Sequence, residues 1–395
     1  MSEGVAPGPD HGLDEIYLDH AASTPLRDEA RAAWLDASAH HHANPTGSHR
    51  AARAARRALD DARDEIAAAL DRPPAEVVFT SGGSEADNLA VRGVLRDRGG
   101  IAVCSAGEHH AVLEPVEHAG GLTVPLDADG TVAPDRLAAA LADAEEPVAV
   151  VSVITVNNET GVINDIPALV EVTRHHAPDA VFHTDAVQAL SWVDLAHHVA
   201  DADLVSITGH KFGGPVGTGA LFVRHGVTLD PWVLGGGQER GRRAGTPDVA
   251  GAAAFAAAAS ATVADREGSI ERLGALRDRL VDGLADRLGE IVMPTVLRGG
   301  APVAAGIAHV MLAEVEAEAL LYLLDSAGVR ASAASSCSSG AQDPSHVLAA
   351  MGIDRMVAQG SLRLSLGHTS TDADVDAALE IIPPAVERLR AHGGG

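Results

Sequence analysis

Apolar segments alternate with helix-like segments through the first half of this chain, and each apolar segment ends in a polar cluster. The clearest case is residues 147–156, a nearly continuous apolar run that leads into Asn157 and Asn158. Such a run is typical of a strand covered on both faces, as in a parallel sheet. Because parallel strands need crossover connections, usually helices, the alternation predicts an α/β fold with an open, mainly parallel sheet.

Further strands and helices follow from the same pattern. The predicted strands are residues 16–18, 76–80, 100–104, 147–156, 180–183 and 204–207, and the clearest predicted helices are 48–70 and 166–175. Ligands in open α/β sheets bind outside the carboxyl ends of the strands. We therefore expect the polar clusters at Ser84, His109, Asn158, Asp185 and Lys211 to converge.

The length of 395 residues, with 46% hydrophobic residues, is enough for two domains. We expect an N-terminal arm (1–15), a large domain (16–260) and a smaller α+β domain (261–395). The small domain should open with an amphipathic helix and close with a helix after Thr371. The apolar run 249–263 is shorter than the roughly 20 residues that span a bilayer, so it predicts a buried helix.

The formal net charge of −26 argues against non-specific nucleic-acid binding, which needs a basic surface. The two cysteines, Cys104 and Cys337, lie in very different contexts and do not suggest a disulfide framework. The first residues lack the basic start and apolar stretch of a signal peptide. These features predict a cytoplasmic enzyme without a membrane partner.

Lys211 is the only lysine among the 29 lysine and arginine residues. Arginine stays protonated in proteins and cannot form an imine, whereas a lysine amine can be deprotonated and condense with an aldehyde. Lys211 follows an apolar strand and lies in a glycine-rich turn, residues 208–215. This position indicates a chemical role that no other side chain of the chain could take over.

A second glycine-rich turn connects the strand 76–80 to a helix that begins near Ser84. Gly82 and Gly83 let backbone amides approach a ligand, and a helix N-terminus offers unpaired N–H groups to an anion. The turn lacks the lysine of a Walker motif. A phosphate site, a lysine and an aspartate such as Asp185 together are what pyridoxal phosphate requires.

No metal site is expected. The three consecutive histidines, residues 40–42, lack the spacing that places ligands on one face of a helix or strand. Residues 127–130 resemble the start of a calcium loop but lack its remaining ligands, so they predict a turn.

In the same order along the chain, ten motifs resemble those of the cysteine desulfurases, which are class V aminotransferase-like enzymes of fold type I. These motifs are residues 17–22, 44–45, 79–90, 108–113, 156–161, 183–188, 209–211, 235–240, 243–246 and 361–367. The resemblance runs from about residue 16 to the C-terminal helix. It implies a pyridoxal 5'-phosphate cofactor and conversion of L-cysteine to L-alanine, with the sulfur passing to an enzyme cysteine as a persulfide.

The resemblance also implies roles for individual residues. Lys211 would form the Schiff base, Asp185 would pair with the pyridine nitrogen, Gln188 would bond the ring oxygen, and His109 would stack on the ring and assist proton transfer. The phosphate would be held by Gly83, Ser84, Thr208 and His210, with Thr246 of the partner subunit of a homodimer. Asn158 and Arg363 would hold the substrate carboxylate, a task that suits the planar fork of arginine.

Cys337 matches the position of the family's nucleophile, in a loop of small polar residues whose length resembles the housekeeping, iron–sulfur-assembly branch. The chain has Ala334 and Ser336 where the family usually has glycine and alanine, a change that bears on loop flexibility and partner choice. Cys104 ends an apolar strand, which predicts a packed core residue. Only a thiolate is nucleophilic, so a neighbour should help to ionise Cys337.

The sequence leaves several readings open. A carbon–sulfur lyase, a selenocysteine lyase or an epimerase could use the same scaffold, and a non-catalytic sulfur-transfer scaffold is a reading from another class. A lyase would need no enzyme thiol, so the role of Cys337 discriminates. The acceptor of the sulfur is a further protein, either an iron–sulfur scaffold or an enzyme such as one that thiolates tRNA.

Overall fold

The computed structural model describes residues 15–296, 300–333 and 345–393. In these residues, helices α1 to α12 are Asp28–His40, Arg50–Ala68, Gly83–Arg98, His110–His118, Pro134–Ala142, Ile166–His176, Leu195–His198, Val249–Leu288, Ala317–Ser326, His346–Ala350, Arg355–Ala358 and Asp372–Gly393. Strands β1 to β12 are Ile16–Tyr17, Val77–Thr80, Ile101–Ser105, Leu122–Val124, Val148–Ser152, Val181–Asp185, Leu204–Thr208, Gly219–Val223, Val292–Pro294, Ile307–Leu312, Val329–Arg330 and Ser361–Ser365.

A seven-stranded sheet in the order β2-β8-β7-β6-β5-β3-β4 forms the centre of the molecule. Strands β4, β3, β5, β6 and β7 pair in parallel, and β8 is antiparallel to both of its neighbours. Every residue of β6, β7 and β8 is buried, as expected for strands covered on both faces. The predicted mainly parallel α/β sheet is confirmed.

The apolar run 147–156 forms a shorter strand than its composition predicts, because β5 ends at Ser152. The chain stays beside β6 for three more residues, with Val153 N and Thr155 N donating to carbonyls of that strand. Val156 then pairs with Ile163 across a tight loop. This loop presents Asn158 at the carboxyl edge of the sheet.

A second, smaller layer is built from the antiparallel sheet β12-β10-β9 and the two-stranded pair β1-β11. It has its own hydrophobic core, to which Ile16 and Leu18 from the start of the chain also contribute. The predicted closing helix is confirmed as α12, which packs against α8 and α9.

Helix α8 runs without interruption for 40 residues and joins the two cores. Its apolar first part packs on α1 and α2 in the larger core, whereas Leu273, Leu276, Leu280 and Leu284 belong to the smaller one. The sequence predicts two separate helices here, and the structure merges them into one. None of the helices in the described ranges is long and apolar enough to cross a membrane.

Candidate active site

A cavity of about 200 Å³ lies at the carboxyl edge of the central sheet, next to the N-terminus of α3. The predicted site residues that line it are Gly83, Ser84, His109, Asn158, Asp185, Gln188, Thr208, His210 and Lys211. The expected convergence of the five polar clusters is therefore confirmed. Asp87, Ile154 and Val187 also line the cavity, although the sequence analysis did not select them.

Lys211 ends a 3₁₀ turn, Gly209–Lys211, that follows β7. Its Nζ donates hydrogen bonds to the carbonyl oxygens of Ala21, at 2.7 Å, and Ala22, at 3.0 Å. Gln188 Nε2 donates to the same Ala21 carbonyl at 2.5 Å. The segment after β1 thus positions both side chains through its main chain, and no side-chain pattern could have revealed this contact.

Asp185 is the last residue of β6 and is almost fully buried. Its Oδ1 accepts a hydrogen bond from Val187 N at 2.8 Å. Burial raises the pKa of Asp185 to about 6, against the opposing effects of this hydrogen bond and of the Lys211 charge. A cationic N–H group in the cavity would favour the ionised form further.

His109 lies at the N-cap of α4, where its Nδ1 accepts a hydrogen bond from Ala111 N at 3.1 Å. Burial, together with the charges of Lys211, His110 and His346, lowers the pKa of His109 to about 4. The ring is therefore neutral near pH 7. Because Nδ1 is an acceptor, the remaining ring proton resides on Nε2.

The turn for which the sequence predicts an anion site lies at the N-terminus of α3. Gly82 has a φ of 147°, in the region that favours glycine, and α3 begins at the next residue. A Cβ on Gly83 would lie 2.6 Å from Val187 Cγ2, so this position has no room for a larger side chain.

Thr208 Oγ1 donates to Thr218 O at 2.8 Å, which fixes one wall of the site. Burial and the Lys211 charge lower the pKa of His210 to about 4.

Thr246 does not reach this cavity in its own chain. It lines a separate cavity of about 240 Å³ on the other side of the α3 turn, together with Ser81 and Arg243. Arg243 pairs there with Glu85 of the first turn of α3. Thr246 is therefore not part of the cavity that Lys211 lines in the same chain.

Arg363 lies at the centre of β12 and is buried. Its Nη1 donates to Asn158 O at 2.8 Å and its Nη2 to Asp19 Oδ1 at 2.8 Å. Its Nε has no hydrogen-bond partner among the described residues. The ion pair with Asp19 was not foreseen, since the motif around residue 19 offered no reason to place it beside β12.

Cys337, like Ala334 and Ser336, lies outside the described residues, but both flanks of its segment reach the site. On one side, Ser332 O accepts a hydrogen bond from Arg363 N at 2.7 Å. On the other, Ser345 Oγ donates to Glu159, and His346 Nε2 lies 2.9 Å from Glu108 O.

The other cysteine, Cys104, is fully buried in β3. Burial and the nearby Glu108 and Glu117 raise the pKa of its thiol, so it stays protonated and unreactive. The predicted core position of Cys104 is confirmed.

The residues around the cavity fit pyridoxal phosphate. They supply the three groups that this cofactor needs, which are a lysine amine, a buried carboxylate and a helix N-terminus whose glycine lets backbone amides approach the phosphate. No three His, Cys, Asp or Glu side chains lie close enough to hold a metal ion in the ranges that the structure describes.

A family model described as aminotransferase class-V matches residues 16–378. An IscS-like cysteine desulfurase from Mycobacterium tuberculosis is 44% identical over 391 residues, which cover 95% of this chain and 97% of the relative. A NifS-like protein of known structure has a TM-score of 0.87 and 28% identity, with 95% of this chain and 100% of that chain covered. A NifS-like protein from Rickettsia africae has a TM-score of 0.85 and 27% identity, with coverage of 95% and 99%.

Proposed function

We propose roles for the residues of this chain, which belongs to the class-V aminotransferase family. It is a cysteine desulfurase that depends on pyridoxal 5'-phosphate. Its fold is that of the fold type I pyridoxal phosphate enzymes. The single observation that best supports these roles is that Lys211 and Asp185 line one cavity beside the N-terminus of α3.

When bound, the cofactor supplies an electron sink for a carbanion at the substrate Cα. Lys211 anchors the cofactor, and its amine then takes the Cα proton. The Asp185 carboxylate holds the proton on the ring nitrogen, and Gln188 donates to the ring oxygen. The phosphate is held by the α3 N-terminus at Gly83 and Ser84 and by Thr208 and His210.

His109 packs on the cofactor ring. Its Nε2–H is free of the capping contact that occupies Nδ1, so this atom is the one that can donate a hydrogen bond to the substrate. The low pKa of His109 keeps the ring uncharged until it acts.

Arg363 and Asn158 bind the substrate carboxylate. The guanidinium is buried, shares one nitrogen with Asp19 and holds the loop of Asn158 through another, so it is fixed in position. A carboxylate that binds here would share Arg363 with Asp19. This arrangement favours an amino acid whose ammonium group can balance the second carboxylate.

The Cys337 thiolate attacks the sulfur of the bound L-cysteine. A sulfur–sulfur bond forms, the Cβ–S bond breaks, and its electron pair stays on the carbon skeleton. That carbon then takes up a proton to become the methyl group of L-alanine, and the substrate sulfur remains on Cys337 as the outer sulfur of a persulfide. The contacts of Ser332 with Arg363 and of Ser345 with Glu159, the neighbour of Asn158, support this role.

The persulfide sulfur then passes to an acceptor protein, an iron–sulfur scaffold or a thiolation enzyme. The protein works as a cytoplasmic homodimer, in which Thr246 of the partner subunit contacts the phosphate. Residues 16–260 and 261–395 form its large and small domains, with the boundary inside α8.

Substitution of Cys337 tests the sulfur-transfer step. Cys337→Ala should still bind L-cysteine and change the cofactor absorbance, because the groups that bind and activate the substrate remain. It should form no persulfide, and production of alanine and sulfide in the presence of a thiol reductant should fall to background. Cys104→Ala is the matched control and should keep both products. Sulfide release by Cys337→Ala at the rate of the unmodified protein would indicate a lyase instead.

A further inference from the structure

Asp87 is a buried carboxyl group that the mechanism above does not use. It lies one helical turn after Gly83 on α3, so both residues face the cavity. The residue is 1% exposed, and its Oδ1 has no hydrogen-bond partner among the described residues. An unpaired carboxyl oxygen in a buried site is costly, which points to a role for Asp87 at the site.

The carboxyl group of Asp87 faces three polar side chains on one side of the sheet, those of His183, Ser206 and Ser152. Its Oδ1 lies 3.7 Å from His183 Nε2, and its carboxyl group interacts with the hydroxyl of Ser206. Ser206 Oγ is 3.0 Å from His183 Nε2, and Ser152 Oγ is 2.8 Å from His183 Nδ1. Ser206 is the register partner of Asp185, so these polar side chains lie directly beside the Asp185 carboxylate.

Asp87, Glu108 and Asp185 are three buried carboxyl groups, and a negative charge on one disfavours ionisation of another. Burial and the neighbouring Asp185 raise the pKa of both Asp87 and Glu108 well above the ordinary range. Burial lowers the pKa of His183 to about 3, so the histidine is neutral. The hydrogen bond from the Val187 amide and the positive charge of Lys211 favour the ionised form of Asp185.

We propose that Asp87 is a positioning residue for Asp185. As a neutral acid it bonds to Ser206, which in turn bonds to His183, so that the negative charge on this wall of the cavity rests on Asp185. One carboxylate then balances one cationic ring nitrogen. Two buried carboxylates would leave an unbalanced negative charge close to an anionic phosphate.

This inference rests on the proposed role of Asp185. The titratable groups around Asp87 are His183 and Asp185 on β6 and Glu108, three residues after β3, and Lys211 lines the same cavity. The inference extends the proposed function, because it states which of the buried carboxyls carries charge and what the neutral one does.

Three substitutions test it by cofactor binding, without any measurement of desulfurase activity. Pyridoxal phosphate is removed from the full-length chain by dialysis and titrated back while its absorbance is followed, for Asp87→Asn, Asp87→Leu and Asp185→Asn. Asp87→Leu keeps the branched shape but removes the hydrogen bond to Ser206, so affinity should fall about tenfold. Asn offers the hydrogen bonds of a neutral acid and should restore most of the loss.

The other outcomes contradict the inference. If Asn is as damaging as Leu, the charge of Asp87 is required; if Leu binds the cofactor normally, Asp87 has no positioning role. Asp185→Asn should bind weakly, and normal binding by this variant would instead overturn the proposed role of Asp185.

The infrared spectrum of the holoenzyme at pH 7 gives an independent reading. The difference between the unmodified protein and Asp87→Asn should show the loss of a protonated carboxyl C=O band. Loss of a carboxylate band in its place would show that Asp87 is ionised and would overturn the proposal.

Discussion

The chemistry of this site depends on main-chain atoms as much as on the side chains that a sequence displays. The Ala21 carbonyl accepts hydrogen bonds from both Lys211 and Gln188, and the backbone amide of Val187 holds Asp185. The lysine, the aspartate and the glycine turn could be predicted because their chemistry is carried by residue type. The acceptors could not, because any residue supplies a carbonyl and only the fold determines where it points.

Gly83→Ala should lower the affinity for pyridoxal phosphate. The new Cβ would lie 2.6 Å from Val187 Cγ2, which forces either α3 or Val187 to shift. Overpacking of this kind costs about 1–3 kcal/mol, so a loss of about tenfold is expected. Fluorescence titration of the cofactor measures it.

The matched control for this prediction is the double variant Gly83→Ala, Val187→Ala. It removes the clashing methyl groups and should recover much of the affinity, relative to Val187→Ala alone. If Gly83→Ala binds the cofactor as tightly as the unmodified protein, the close approach at α3 has no role in binding.

At the scale of elements, the sequence predicted most strands of the central sheet and the helices that cross them, but not the length of α8. The helix was divided near residue 260 because its composition changes there from small apolar residues to an amphipathic pattern. That change reflects a change of environment, since the two parts of one helix pack in two different cores. The pairing of β1 with β11 was equally hidden, because two residues carry too little pattern to identify a partner across more than 300 positions.

Two glycines of α8 should respond in opposite ways to alanine. Gly268 has no atom within 4 Å of the position that its Cβ would take, so Gly268→Ala should stabilise the protein by about 0.4–1 kcal/mol. In Gly251→Ala, the Cβ would approach the carboxylate of Asp248, whose side chain caps the helix by accepting from Gly251 N. Losing this cap should cost about 1–2 kcal/mol, more than the gain of about 0.4–1 kcal/mol that alanine brings at an unobstructed helix position.

Urea unfolding of both glycine variants measures the change in unfolding free energy. Each variant serves as the control for the other, because both make the same substitution in the same helix. Equal signs for the two changes would contradict the contacts described at the start of α8.

At the scale of the whole molecule, buried histidines determine how stability depends on pH. Burial lowers the pKa of His20, His109, His183, His210, His309 and His368 to about 3 or 4. Below pH 6.5 the unfolded chain therefore binds protons that the folded protein does not, and stability is lost as the pH falls.

Asp87, Glu108 and Asp185 change the pH dependence of stability in the direction opposite to that of the histidines. Their folded pKa values are raised, so the stability that they contribute is present below pH 4 and is lost as the pH rises through those values. Six histidines outweigh three carboxyls, so we expect the unfolding free energy to increase from pH 4.5 to 6.5. Urea titrations across this range measure the slope.

His309→Gln is the matched test of this explanation. His309 lies in β10, buried between Thr295 and Ser361 and opposite Arg363, and does not line the cofactor cavity. The substitution removes one titrating group and should reduce the slope by up to about 1.4 kcal/mol per pH unit. An unchanged slope would mean that this histidine is not held neutral in the folded protein.

The central claim is that one lysine carries the cofactor of a cysteine desulfurase. Treating the holoenzyme with borohydride and sequencing its peptides by mass spectrometry tests this claim directly, because reduction fixes pyridoxal phosphate covalently to the amine that holds it. The mass of the reduced cofactor should appear on the peptide that contains Lys211 and should be absent from Lys211→Ala. An adduct on another peptide, or one that Lys211→Ala retains, would contradict the role of Lys211.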